Sequence, residues 1–132
     1  MRVFRQIARR LSSAAKSPRD AVIVGVARTP VGGFNGSLAA LKAPELGSAA
    51  ISAALDRAGV PKESVEQCWM GNVIASGMGQ APARQAAQMA GLPDSTCCTT
   101  VNKVCSSGMK AVTLGSQEIV LGNADVLVAG GM

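Results

Sequence analysis

Apolar and polar residues alternate along the chain in a pattern that predicts short strands and helices from about residue 20 onward. Residues 21–27 (AVIVGVA) form an apolar, β-branched run that is typical of a strand buried on both faces. Residues 28–37 are rich in Gly and Pro and predict a loop. Residues 44–58 place apolar side chains at helical spacing, and Gly59 and Pro61 then end the predicted helix.

The same alternation continues to the end of the chain. Residues 68–74, 96–101 and 126–129 predict strands, and residues 82–90 and 106–121 predict helices. The resulting order, β-α-β-α-β-α-β, is typical of an α/β fold with a mostly parallel sheet and helices on its faces. We therefore expect one α/β domain over residues 20–132.

The last predicted helix carries a glycine at every seventh position, Gly108, Gly115 and Gly122. Each glycine in a helix interior costs about 0.5–1 kcal/mol relative to alanine. A face lined with glycine is tolerable where another backbone approaches closely. We therefore expect this helix to be buried between layers.

The positive charge of the chain is concentrated at its start. Residues 1–19 contain six Lys and Arg and no acid, whereas residues 20–132 contain seven bases and eight acids. A domain with nearly equal numbers of bases and acids lacks the excess positive charge that is typical of proteins that bind nucleic acid. One helical face of the first residues is apolar, with the side chains Val3, Phe4, Ile7 and Leu11.

An acid-free, amphipathic start rich in Arg and Ser is typical of a mitochondrial transit peptide. We therefore interpret residues 1–19 as a leader that directs the protein to the mitochondrial matrix. The alternative is a basic tail without a targeting role. The chain has no long apolar run, so neither a secretory signal nor a membrane anchor is expected.

The cysteines limit the possible chemistry. Cys68, Cys97, Cys98 and Cys105 form no CxxC pair, and the chain has no histidine, which argues against a zinc site and a thioredoxin-like motif. In a reducing matrix we expect free thiols. The Cys97-Cys98 pair is interpreted as strand packing in preference to a vicinal redox switch.

Cys105 differs from the other cysteines because it lies where a predicted strand ends and a helix begins. The free N–H groups and the positive dipole of a helix start stabilise a thiolate, and Lys103 would add positive potential. The same N–H groups can hold the oxyanion formed when a thiolate attacks a carbonyl. A buried cysteine that only packs is the alternative, and position alone does not decide between the two.

Three stretches resemble motifs of the thiolase family, in the order that the family has them. They are residues 28–38 (RTPVGGFNGSL), 101–111 (VNKVCSSGMKA) and 126–132 (VLVAGGM). Within the family, the sequence around Cys105 is most similar to acetyl-CoA acetyltransferases. The resemblance implies a layered α/β/α/β/α fold of two similar halves, usually assembled as a dimer or tetramer.

The resemblance also implies the chemistry. Cys105 would be the nucleophile that carries an acetyl group, with its backbone N–H in an oxyanion site. Acetyl-CoA, acetoacetyl-CoA and CoA would be the substrates, with no metal and no covalently bound cofactor.

Thiolases take a catalytic His, an Asn and a second Cys from their C-terminal half, and this chain contains no histidine. We therefore expect residues 20–132 to be an incomplete N-terminal thiolase domain that is inactive alone. The alternatives are a 3-ketoacyl-CoA thiolase of fatty-acid β-oxidation and a truncated, non-catalytic product.

Overall fold

The computed structural model describes residues 19–132, in which helices and strands alternate. The elements are α1 (Ala43–Ala58), a short 3₁₀ helix (Lys62–Ser64), β1 (Gln67–Gly71), α2 (Pro82–Met89), β2 (Cys97–Val101), α3 (Ser107–Leu121) and β3 (Leu127–Gly131). Each corresponds to a predicted element within a few residues, apart from the 3₁₀ helix, which the pattern did not indicate. No helix of this part of the chain is long and apolar enough to cross a membrane.

The three strands form one parallel sheet in the order β2-β1-β3. In the register of the sheet, Cys68 lies opposite Cys98 on one side and Val128 on the other. Gly71, Val101 and Gly131 likewise lie at the same level, so all three strands end together. The structure confirms the predicted α/β class with a parallel sheet.

The prediction of a first strand over residues 21–27 is wrong. The 21–27 segment has no regular secondary structure and pairs with no strand, and its larger side chains, Val22, Ile23, Val24 and Val26, are 67–78% exposed. It lies against α1 instead: a Cβ on Gly25 would be 2.6 Å from the carbonyl oxygen of Ala54. A cavity of about 750 Å³ is lined by this segment and by β3. A β-branched run predicts a strand, but a strand also needs a hydrogen-bonding neighbour, which the described residues do not supply here.

Helices α1 and α2 cover one face of the sheet, and the main core lies there. Cys68 and Met70 of β1 point to this face and are 0% and 2% exposed. The rest of this buried cluster comes mostly from α1 and α2, with Ile51, Leu55, Val65, Ala83, Ala86, Ala87, Ala90 and Leu92. Small alanine side chains on α2 let the two helices and the sheet approach closely.

Helix α3 packs on the opposite face through glycine. A Cβ on Gly71 would lie 2.5 Å from the backbone nitrogen of Gly108, and one on Gly115 would lie 2.8 Å from Cδ1 of Leu127. The predicted approach of another backbone is therefore confirmed at Gly108, whereas Gly115 makes room for the side chain of Leu127. Gly122 is not part of this face, because it ends α3 in the left-handed conformation with φ of 78°.

The expectation that α3 is buried between two layers is wrong for the described residues. Several of its apolar side chains are 41–75% exposed, namely Met109, Val112, Val120 and Leu121. The glycine spacing predicts a close contact on one side of the helix only. It does not predict whether the other side is covered.

The last residue of the predicted leader contacts the far end of α3. Arg19 donates hydrogen bonds from Nε to the carbonyl of Ile119 (2.9 Å) and from Nη2 to the carbonyl of Ala124 (3.1 Å). The same Nη2 forms an ion pair with Asp125 at 2.9 Å. A guanidinium is favourable here because the carbonyls at a helix C-terminus carry partial negative charge. The rest of the predicted leader lies outside the described residues.

Candidate active site

The candidate site lies where the three parallel strands end. Open α/β sheets bind ligands at the carboxyl ends of their strands, where connecting loops leave the sheet. Backbone hydrogen bonds extend the sheet slightly beyond its strands at this edge: the N–H of Asn72 donates to the carbonyl of Val101 (3.0 Å), and that of Met132 to the carbonyl of Gly71 (2.9 Å). Cys105 lies just beyond, between β2 and α3.

The connection from β2 to α3, residues 102–107, is a tight turn that we call the Cys105 turn. Val104 has a φ of 48°, in the left-handed region that a β-branched residue rarely adopts. Such a conformation costs on the order of 1–3 kcal/mol and persists only when its surroundings hold it. Strained residues of this kind occur often at functional sites, so the turn itself is a candidate.

Asn102 holds the start of this turn. Its Oδ1 accepts a hydrogen bond from the N–H of Val104 at 3.0 Å, and its Nδ2 donates to the carbonyl of Val73 at 3.0 Å. One amide side chain therefore fixes the strained residue and ties it to the loop after β1.

Ser107 holds the other end of the turn. Its Oγ accepts a hydrogen bond from the N–H of Lys103 (2.8 Å) and donates one to the carbonyl of Val104 (2.6 Å). Ser107 is 3% exposed, and both of its hydrogen bonds are partly buried. Beneath it, Gly71 lets the end of β1 approach the start of α3.

The consequence of this geometry is that Cys105 is presented to solvent two residues before α3 begins. The alternative of a buried, purely packing cysteine therefore does not describe this residue. An exposed thiol at a helix start can reach a carbonyl carbon, and the first N–H groups of a helix can stabilise the oxyanion that such an attack forms. Its catalytic role stays a prediction.

The other three thiols do not join Cys105. Cys97 and Cys98 begin β2 and Cys68 lies near the start of β1, so all three are at the opposite end of the sheet. Burial, together with the neighbouring Cys98, raises the pKa of the Cys68 thiol to about 12. A thiol with that pKa is a poor nucleophile at neutral pH.

Sequence reasoning missed Asn72, which directly follows β1 at the same edge as Asn102. Asn72 is 4% exposed, and its Oδ1 has no hydrogen-bond partner among the described residues. A buried acceptor without a donor costs about 1–3 kcal/mol, so this oxygen suits a donor from a substrate or another segment. A single polar residue inside the otherwise apolar run of residues 68–74 was the signal in the sequence that could have identified it.

In the described part of the chain, no three His, Cys, Asp or Glu side chains are grouped in a way that could hold a metal ion.

Comparison with known proteins gives one consistent family. Residues 21–132 match the family described as thiolase, N-terminal domain. The chain is 60% identical to acetyl-CoA acetyltransferase 2 of Arabidopsis thaliana over 121 residues, which are 92% of this chain and 30% of that protein. It is 59% identical to the mitochondrial acetyl-CoA acetyltransferase of Mus musculus over 113 residues, 86% of this chain and 27% of that protein.

Solved structures of thiolases resemble the fold of this chain. A thiolase from Ascaris suum, solved in complex with coenzyme A, superposes with a TM-score of 0.83 at 39% identity, over 85% of this chain and 29% of that one. An acetyl-CoA acetyltransferase from Syntrophomonas wolfei gives a TM-score of 0.74 at 36% identity, over 78% of this chain and 26% of that one. The chain thus spans less than a third of the length of the relatives it matches.

Proposed function

Because this chain belongs to the thiolase family, we propose that Cys105 is the nucleophile of a thiolase-type acyltransferase to which these residues contribute the N-terminal domain. The proposed reaction is the reversible condensation of two acetyl-CoA molecules to acetoacetyl-CoA and CoA. An acetyl group carried on Cys105 is the proposed intermediate.

The observation that carries this proposal is the exposure of Cys105 on a strained strand-to-helix turn at the carboxyl edge of a parallel sheet. In the first step the sulfur of Cys105 bonds to the acetyl carbon, and the bond from that carbon to the sulfur of CoA breaks. The leaving CoA thiolate takes up the proton that Cys105 has lost. Covalent catalysis of this kind divides one difficult step into two easier ones.

The Cys105 turn positions the nucleophile for this step. Asn102 and Ser107 fix the backbone on both sides of the nucleophile, so the thiolate needs little rearrangement to attack. The backbone N–H of Cys105, together with the start of α3, is proposed to stabilise the oxyanion formed on the acetyl oxygen.

The remaining groups come, in this proposal, from residues outside this chain. The 132 residues contain no histidine to act as the general base. General bases of this type contribute about 10²–10⁴-fold in rate. CoA thioesters are the proposed substrates, without a covalently bound cofactor, and a homo-oligomer in the mitochondrial matrix is the proposed assembly and location. The name of the Mus musculus relative supports the location, and the coenzyme A complex of the Ascaris suum structure supports the substrate class.

A chimeric enzyme tests the proposal. Residues 21–132 would replace the matching segment of the Arabidopsis thaliana acetyl-CoA acetyltransferase, to which this chain is 60% identical. We expect the chimera to cleave acetoacetyl-CoA in the presence of CoA. We expect Cys105→Ala to lower kcat by at least about a thousandfold, because the covalent route is then closed.

Mass spectrometry of the acetylated chimera supplies the direct readout. Incubation with acetyl-CoA should add one acetyl group to the tryptic peptide of residues 104–110, which contains Cys105 and no other cysteine. Cys97→Ala, which changes an exposed thiol at the other end of β2, is the control and should retain both activity and adduct. Full activity in Cys105→Ala, or an acetyl group on Cys97 alone, would contradict the proposal.

A further inference from the structure

Two of the remaining cysteines are direct neighbours across the sheet. Cys68 of β1 and Cys98 of β2 are partners in the parallel register. Side chains of such partners point to the same face of the sheet. Adjacent strands lie about 4.7–4.9 Å apart. That spacing falls within the range of about 4.4–6.8 Å that a disulfide requires between Cα atoms.

The two side chains also share one packing environment. Cys98 packs against the buried cluster that contains Cys68. The Sγ of Cys98 donates to the carbonyl of Thr96 at 3.4 Å. The register therefore places the two thiols side by side on one face of neighbouring strands.

A cation lies beside this pair. The guanidinium of Arg84 donates from Nη1 to the carbonyls of Asp94 (2.9 Å) and Thr96 (3.0 Å), which places it next to Cys98. Burial raises the pKa of Cys98, while the positive charge of Arg84 opposes that rise. Arg84 thus offsets part of the effect of burial, but the pKa of Cys98 stays above its ordinary value, so the thiolate that reacts with peroxide is a minor form.

Cys68 and Cys98 differ in their exposure to solvent. Cys68 is 0% exposed, whereas Cys98 is only partly buried. An oxidant from solvent therefore reaches Cys98 first. The exposed Cys97 is not a competing partner for Cys68, because successive residues of a strand point to opposite faces.

From these contacts we propose that Cys68 and Cys98 are a peroxide-sensitive dithiol that closes to a disulfide between β1 and β2. The thiolate of Cys98 attacks one oxygen of hydrogen peroxide, the O–O bond breaks, and with one proton the products are a sulfenic acid and water. Cys68 then loses its proton and attacks the sulfenic sulfur, and the hydroxyl leaves with that proton as a second water while the S–S bond forms. Because the pKa of Cys68 is raised to about 12, this second step is the slower of the two. Two thiols lose two electrons in total, and one peroxide gains them.

The bridge has a defined structural effect. It ties the central strand to the strand that leads through Asn102 into the Cys105 turn. Cβ atoms in a disulfide are about 3.8 Å apart, less than the spacing of strands, so the bridge draws β1 and β2 together and is open to reduction by small thiols. This pair is independent of the acyl-transfer reaction proposed for Cys105.

Peptide mapping under non-reducing conditions tests the proposal on the whole 132-residue chain. Trypsin separates the relevant cysteines, since residues 63–84 contain Cys68, residues 85–103 contain Cys97 and Cys98, and residues 104–110 contain Cys105. The chain is treated with one equivalent of hydrogen peroxide, and free thiols are then blocked with iodoacetamide. We expect a disulfide between the peptides 63–84 and 85–103 that dithiothreitol removes.

Matched serine variants assign the bond. Cys98→Ser should abolish the linked peptides, and Cys97→Ser should leave them unchanged. Cys68→Ser should also abolish them and leave a sulfenic acid on Cys98 that dimedone traps. The proposal is overturned by a bond that requires Cys97, by a bond from the peptide of residues 104–110, or by the absence of any bond after peroxide treatment.

Discussion

Gly71 and Gly108 lie backbone against backbone, at the point where the central strand ends and α3 begins. A Cβ on Gly71 would lie 2.5 Å from the nitrogen of Gly108 and 2.5 Å from the carbonyl carbon of Ser107. Both atoms belong to the main chain and cannot move aside by a change of rotamer. The Cys105 turn therefore rests directly on the end of β1, and any added volume at Gly71 displaces it.

Substitution of Gly71 by alanine should reduce stability. Because the new methyl group meets backbone atoms, we expect the free energy of unfolding to fall by about 3 kcal/mol, at the upper end of the usual cost of overpacking. Urea denaturation followed by far-UV circular dichroism measures the change. Gly33→Ala is the matched control, since a methyl group at that position would meet open space, with no contact within 4 Å. Equal midpoints for the two variants would contradict the close contact.

Asn102 is expected to act through both of its hydrogen bonds. Asn102→Ala removes the acceptor for the N–H of Val104 and the donor to Val73, at a cost of about 1–3 kcal/mol in the free energy of unfolding. Asn102→Asp keeps the acceptor and loses the donor, so its loss should be smaller. In the chimera, kcat should fall in the same order. Identical rates in all three proteins would show that the turn does not position the nucleophile.

The four thiols should react in an order set by exposure and pKa. At pH 8 we expect iodoacetamide to modify Cys105 first and Cys68 last, since the pKa of Cys68 is about 12 and its thiol stays protonated until far above that pH. In concentrated urea Cys68 should react like the others. Peptide mapping after limited labelling measures the order, and early modification of Cys68 in the folded chain would contradict it.

The 132-residue chain should not turn over acetoacetyl-CoA by itself. Without a histidine, the thiolate of Cys105 lacks general-base assistance worth about 10²–10⁴-fold. Cleavage of acetoacetyl-CoA with CoA should therefore equal that of a Cys105→Ala control. A rate clearly above the control would show that these residues hold a complete active site.

Residues 1–19 should direct a fused fluorescent protein to mitochondria. Replacing Arg2, Arg5, Arg9 and Arg10 with glutamate should abolish import, because the amphipathic segment then loses its positive face. Fluorescence microscopy against a mitochondrial marker measures both. A diffuse fluorescence signal from the unsubstituted fusion would contradict the prediction. The N-terminus of the imported protein would also show whether Arg19, which pairs with Asp125, is retained.

The sequence predicted the elements whose signals are local. Apolar spacing identified α1 and α3, and the left-handed φ of Gly59 agrees with the predicted end of α1. The 21–27 segment was mistaken for a strand because its β-branched residues suit a sheet. Their presence does not tell whether a neighbouring strand is available for pairing.

The candidate site was predictable in part. The position of Cys105 before a helix follows from the order of elements, but the left-handed Val104 does not, since valine has no local preference for it. The environment of Asn72 and the pairing of Cys68 with Cys98 depend on which strands become neighbours. That choice is made by long-range contacts, which local patterns do not encode.

The sheet order has a consequence for synthesis on the ribosome, where the chain emerges from its N-terminus. The central strand β1 emerges before both of its neighbours, and β2 is the first to join it. Helices α1 and α2 are then already available to cover the Cys68 and Met70 face. The nucleophile and the strained Val104 emerge only afterwards, so the Cys105 turn becomes available for packing later than the strand end on which it rests.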